Sequence, residues 1–281
     1  MVKIISDSTC DLSADLLKRY DVHILPLHIL LGDQEYLDGQ SITPDEIYTW
    51  SDANKTTPKT SAASVDECIR AFRPYLDAGR DIVCFSISSK MSATCQNMHL
   101  AARELNAEDR ICVIDSQSLS TGVGLQVIEA AEMAQSGKTL KEIAQHIATI
   151  TPRVKASFVV DTLTYLHRGG RCSGLAALAG GALRLHPRIA VTDGAMAPGK
   201  KYRGRMNRVL EEYVAEMKDD LLHAQPRRVF ITHSGCDESI LAAIHQQLAD
   251  LNHFDEIHIT RAGGVISSHC GPGTLGVLYI S

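Results

Sequence analysis

Short apolar runs alternate with segments whose apolar residues recur every three or four positions, and the alternation persists along the whole chain. Val2 to Ile5 reads as a buried strand stopped by the polar turn Ser6-Asp-Ser-Thr9, with Leu12, Leu16 and Leu17 following at helical spacing. Val22 to Leu31 is a second apolar run. Three helix starts are marked by a hydroxyl with glutamate three residues later: Thr43 with Glu46 and Pro44 in the first turn, Ser64 with Glu67, and Thr139 with Glu142. Residues 82–87 and Ile111 to Ile114 predict strands, each leading through a hydroxyl-rich turn into a helix. Such alternation predicts a largely parallel sheet whose ligands gather outside the carboxyl ends of its strands.

Thr151-Pro-Arg reads as a seam. It divides the chain into an N-terminal α/β domain, 1–152, with a largely parallel sheet flanked by helices, and a C-terminal α/β domain, 153–281, with a mixed sheet and a ligand pocket between the two. In the second part Phe158 to Val160 predicts a strand, Leu163 to Arg171 a short helix ended by glycine, and 173–185 a helix of small apolar residues. Strand 188–192, the Asp193-Gly194 turn and a basic loop holding Lys200, Lys201, Arg203 and Arg205 come next. A long helix is expected from about Asn207 to Leu222, its stripe formed by Leu210, Tyr213, Val214 and Met217. Val229 to Thr232 reads as a strand, Asp237 as the cap of a helix through Leu251, and Glu256 to Thr260 as another strand. Gly263 to Gly273 reads as a glycine-rich turn carrying His269, before a last strand from Gly276 to Ile280.

The stretch that gathers the chemistry is Val83 to Gln96, a strand running into a helix through clustered hydroxyls. The first N–H groups of a helix lack partners inside it, so Ser89, Ser92 and Thr94 surround a spot that favours negative charge. Thr60 and Ser61 lie just outside another helix start. Composition narrows the reading further: 44% hydrophobic and 22% charged residues with a formal charge of -5 are ordinary globular values that call for no nucleic acid partner. The eight cysteines never form a Cys-x-x-Cys pair, which fits buried thiols in a reducing compartment better than disulfides or zinc. Met1 leads almost directly into a strand and no apolar run reaches membrane-spanning length, so a soluble, cytoplasmic protein is expected.

Nucleotide and metal motifs fail on inspection. Gly271-Pro-Gly-Thr-Leu-Gly276 spells a dinucleotide fingerprint with only five residues after it, and Gly194-Ala-Met-Ala-Pro-Gly-Lys200 lacks the Ser or Thr that magnesium needs. What remains is Thr60, Ser61 and Ser92 at two helix starts, with His269. Desolvating a carboxylate costs several kcal/mol and each donor to it returns roughly 1.5–3 kcal/mol, so about three or four donors are required. This set supplies that number.

The chain resembles the DegV family, the fatty-acid-binding proteins that serve bacterial fatty acid kinase. The resemblance is carried by Ser6-Asp-Ser-Thr9, Pro58-Lys-Thr-Ser61, Ser88-Ser-Lys-Met-Ser92, Asp115-Ser116, Ser120-Thr-Gly-Val-Gly124, Leu166-His-Arg-Gly-Gly-Arg171, and Gly264-Val-Ile through His269-Cys-Gly-Pro-Gly273. It implies two α/β domains with one long-chain fatty acid between them, its carboxylate held by Thr60, Ser61, Ser92 and His269, with Ser89, Ala93 and Gly271 as secondary polar candidates. It also implies that the protein is not itself an enzyme and needs no cofactor: it presents the acyl carboxylate to an ATP-using kinase subunit, which makes an acyl phosphate for phospholipid metabolism. Ala62, Ala63, Ala93 and His186 depart from the family's usual residues. Candidate walls for the acyl chain are Leu163, Tyr165 and Leu166 with the 173–185 segment, Leu178 among it. The basic residues Arg168, Arg171, Lys200, Lys201 and Arg203 are candidates for docking the partner or an anionic membrane surface. The rival expectation is an acyl-transfer or ester-hydrolysing enzyme with Ser92 as nucleophile, His269 as base and Asp7 or Asp115 as orienting acid.

Overall fold

The computed structural model describes residues 1–172 and 185–281. Four parallel strands form the first sheet, in the order Val22–Leu25, Val2–Asp7, Asp81–Ser86, Ile111–Asp115. Helices on both faces explain why these strands are apolar on both sides. Along Asp81–Ser86, Ile82 and Cys84 enter a core shared with helices Val65–Asp77 and Thr94–Glu104, while Val83 and Phe85 enter one shared with helices Thr121–Gln135 and Leu140–Ile150. All three capping boxes form, at Thr43, Ser64 and Thr139.

The run from Val22 to Leu31 is two strands rather than one. Pro26 interrupts it, and His28–Leu31 leaves the parallel sheet to lie between Gln34–Leu37 and Lys59–Ser61 in a small antiparallel sheet. Thr60 pairs with Ile29 there. That registration fixes where the threonine hydroxyl stands.

The second sheet is mixed, with strand order Ala195–Arg203, Leu185–Thr192, Val154–Val159, Leu275–Ile280, Arg228–His233, Glu256–Arg261; only the last two pair in parallel. Helices Met206–Glu216 and Glu238–Ala249 pack on one face. Its other face contributes Ala156, Phe230, Leu278 and Ile280 to the core around helix Thr121–Gln135. That helix is buried from Thr121 to Ala131 because both halves pack on it.

Several sequence expectations are corrected. Residues expected as a basic loop form the strand Ala195–Arg203, with an irregularity between Pro198 and Lys201 that breaks the alternation a strand normally shows. The expected long helix from Asn207 to Leu222 stops at Met217 and resumes as Lys218–Leu222. Asp237 precedes its helix without a side-chain cap bond. His269 lies in the helix Gly264–Cys270, not in a turn. The helix expected at 173–185, with Leu178, lies outside the described residues except for Leu185, which opens a strand. Among the described residues no helix is long and apolar enough to cross a membrane.

Candidate functional site

Helix Gly264–Cys270 organises the site, and residues far away in sequence hold it in place. The Gly263 N–H donates to Asp11 Oδ1 at 2.8 Å and the Gly264 N–H donates to Asp38 Oδ1 at 2.7 Å. Ser120 donates to the second oxygen of Asp11 and Ser8 to that of Asp38. Burial drives both carboxyls above their ordinary values, although these donors pull the other way. At Gly264 a Cβ would stand 2.5 Å from Ile29 Cδ1 and 2.9 Å from Ile47 Cδ1, so a larger residue requires those side chains to shift. Helix and first half are thereby packed backbone to side chain.

One side of the helix, Val265, Ile266, His269 and Cys270, faces a cavity of about 330 Å³ between the halves. Leu27, Ile87, Met91 and Leu119 line it from the first half, and Met196, Val265, Ile266 and Cys270 from the second. Polar groups gather at Thr60, Ser61, Ser92, His269 and Arg171. The wall is mainly apolar, with polar groups confined to few positions, as in small-molecule sites.

His269 Nε2 lies 2.8 Å from Thr60 Oγ1. Burial, with the Arg171 guanidinium adding to it, pushes the imidazole down to about 4, so it is neutral at pH 7. Its Nδ1 is buried without a hydrogen-bond partner among the described residues. Ser92 Oγ lies 2.9 Å from Thr94 Oγ1 and accepts from the Thr94 N–H at 3.2 Å. No side chain at Ala93 caps helix Thr94–Glu104, leaving Ser92 and the first-turn N–H groups as the polar end of that helix. Thr60, Ser61, Ala62, Ser92, Ala93 and His269 all line the one cavity.

Other sequence candidates stand elsewhere. Ser89 donates to Asp115 through both its N–H and its hydroxyl and is absent from the cavity wall. Gly271, at φ 74°, ends the His269 helix against the Tyr165 ring, where a Cβ would come within 2.6 Å of Cδ2. Leu163 and Leu166 pack in the cluster behind the cavity with Ile87 and Ile266, and Tyr165 packs edge-on against Tyr48. None of these three lines the cavity. Arg171, read from sequence with the docking residues, reaches the cavity and donates to the Gly169 carbonyl at 2.7 Å. Lys200 is engaged by Glu212 and Glu216, whereas Arg168, Lys201 and Arg203 are exposed. Sequence reasoning did not single out Ile87 or Leu119. Ile87 directly follows the strand Asp81–Ser86, and Leu119 lies four residues beyond the end of Ile111–Asp115, both at carboxyl ends where ligands gather in such sheets. Among the described residues no group of His, Cys, Asp and Glu could hold a metal ion.

These features define a two-part α/β protein with a mainly apolar cavity between its halves and a polar corner of hydroxyls and one imidazole. The chain belongs to the DegV family: the model described as an uncharacterised protein of that family matches residues 1–281. A DegV domain-containing protein of Deinococcus radiodurans is 33% identical over 278 residues, 98% of this chain and 97% of the relative. A solved structure described as showing fatty acid binding by a DegV family protein from Thermus thermophilus shares 31% identity at a TM-score of 0.91, covering 100% of this chain and 99% of the other. A stearic-acid-binding protein from Eubacterium ventriosum shares 29% identity at a TM-score of 0.85, with 99% and 98% coverage.

Proposed function

We propose that this protein binds one long-chain fatty acid in the cavity between its halves, with the seam near residues 152 and 153, and presents the carboxylate to a separate ATP-dependent kinase. The observation that carries the reading is that Thr60, Ser61, Ser92 and His269 line one mainly apolar cavity, with Thr60 and His269 in contact. Burying each methylene contributes ~0.8 kcal/mol, so a tail of about fourteen gives roughly 11 kcal/mol before ordering costs. Hydroxyl donors satisfy a carboxylate, the neutral imidazole bonds one of those hydroxyls, and Arg171 supplies the nearby positive charge. Exposed Arg168, Lys201 and Arg203 are the surface cations offered to the partner or to an anionic membrane surface.

The geometry disfavours the hydrolase alternative. Ser92 bonds Thr94 rather than His269, and His269 bonds Thr60. Asp7 accepts from Thr9 and the Ile87 N–H, and Asp115 from Ser89 and the Gln117 N–H, so neither orients the imidazole. The test is mass analysis of lipid released from the purified protein, followed by uptake of added palmitate. A co-purifying fatty acid or one-to-one uptake is expected; neither ligand nor uptake would overturn the proposal. Acyl phosphate formed with kinase and ATP, trapped as a hydroxamate, tests presentation, and charge reversal at Lys201 and Arg203 should lower its yield.

A further inference from the structure

Helix Thr164–Gly169 ends against the His269 ring. A Cβ built on Gly169 would lie 2.3 Å from His269 Nδ1 and 3.2 Å from Cε1. On its other edge the ring is fixed by Thr60, 2.8 Å from Nε2. The imidazole therefore stands between the Gly169 backbone and a threonine hydroxyl. It cannot retreat from Gly169 without pressing on Thr60.

Nothing in the local backbone asks for glycine at 169. Its φ is not in the left-handed region, in contrast to Gly170, whose φ of 67° ends the helix. By intrinsic preference alanine in place of a helical glycine is favourable by about 0.5–1 kcal/mol. The three atoms nearest to such a Cβ all belong to His269.

The same contact decides which ring nitrogen holds the proton. Nδ1 is buried with no hydrogen-bond partner among the described residues and faces the Gly169 Cα. A buried N–H with no acceptor is costlier than a bare acceptor lone pair, which can rest against a Cα–H. A neutral ring has one N–H to place, and Nε2 is the nitrogen with an oxygen beside it. We propose that Gly169 is a positioning residue: its missing side chain seats His269 so that Nε2–H donates to Thr60 Oγ1, leaving the Thr60 hydrogen to point into the cavity. The ligand's acidic end then receives the hydroxyl of Thr60, with His269 setting the direction of that bond. This assignment deepens the fatty-acid reading above and rests on it for the ligand.

The experiment is a cycle of Gly169→Ala, His269→Gln and the double variant, with ¹⁵N-histidine spectra of the delipidated proteins and affinity for palmitate. The His269 signal, identified by its loss in His269→Gln, should show a protonated Nε2 and a bare Nδ1 in the wild type, and should move in Gly169→Ala. Affinity should fall about tenfold in Gly169→Ala. The double variant should bind like His269→Gln, because residues acting through one another do not add. A protonated Nδ1 in the wild type, an unchanged His269 signal and affinity in Gly169→Ala, or strictly additive losses would each overturn the assignment. The wild-type tautomer is read without any lipid and without a substitution at 169. Its outcome is therefore separate from whether the protein takes up palmitate or whether Gly169→Ala folds.

Discussion

Arg228 and Glu129 face each other at 2.7 Å with both side chains almost wholly buried, one from the mixed sheet and the other from the helix that both halves enclose. Arg228 also reaches Glu132, and Arg227 bonds both glutamates from the solvent side. The halves are thus joined by ions as well as by apolar packing, away from the cavity.

Removing one member of such a pair strands a buried charge. Arg228→Ala is expected to cost about 3–5 kcal/mol of stability, whereas replacing Arg228 and Glu129 together by apolar residues of similar volume should cost much less. Urea unfolding of the two proteins measures the difference.

Loss of the polar corner should weaken binding without unfolding the protein. Thr60→Val and Ser92→Ala are each expected to lower fatty-acid affinity about tenfold or more, while Thr60→Ser should retain most of it. Displacement of a fluorescent fatty acid reads this directly, with thermal melting as the control.

Two buried groups give opposing pH dependence. Burial pushes the Asp7 carboxyl up to about 6 from an ordinary 3.8, against the bonds from Thr9 and Ile87. The folded protein keeps that proton where the unfolded chain has lost it, so this contribution is complete below pH 3.8 and lost as pH rises through 6. His269, pushed down to about 4 from 6.5 by burial and then Arg171, refuses a proton the unfolded chain accepts. Its contribution is present above pH 6.5 and lost as pH falls through 4. Each effect is of order 3 kcal/mol. Asp11 and Asp38, also raised by burial, act in the same direction as Asp7. Between pH 4.5 and 6, Asp7→Asn should make the slope of stability against pH more positive than in the wild type, and His269→Gln should make it more negative. Denaturant midpoints across that range check both signs.

Enlargement at Gly264 should be costly. In Gly264→Ala the new methyl meets Ile29, Ile47 and Asp38, so a loss of about 1–3 kcal/mol is expected, with weaker ligand binding because Ile266 and His269 move with the helix. A melting curve and the displacement assay together report it.

What was legible in the sequence was local. The boxes at Thr43, Ser64 and Thr139 form within a single turn of chain, and the parallel strands advertise themselves by continuous apolar runs bounded by polar turns. The His269 helix was not legible, because its N-terminal N–H groups are held by Asp11 and Asp38 from more than 200 residues away and its two leading glycines resemble a turn. Strand Ala195–Arg203 was hidden for a different reason: Pro198 and Gly199 interrupt its alternation, and its pairing with Leu185–Thr192 supplies what its own pattern lacks. The hydroxyls of the polar corner could be picked out as helix-start residues, but that Thr60 meets His269 depends on a short strand registering on Ile29. Arg171's place in the cavity wall likewise follows from how the short helix turns back on Gly169, which spacing does not encode.

The most direct measurement is a titration of the delipidated protein with palmitate carrying ¹³C at its carboxyl carbon. We expect one shifted carboxyl resonance that saturates at a single equivalent and weakens or moves in both Ser92→Ala and His269→Gln, since those residues approach the head group from opposite halves. No saturable resonance, or one indifferent to both substitutions, would contradict the account.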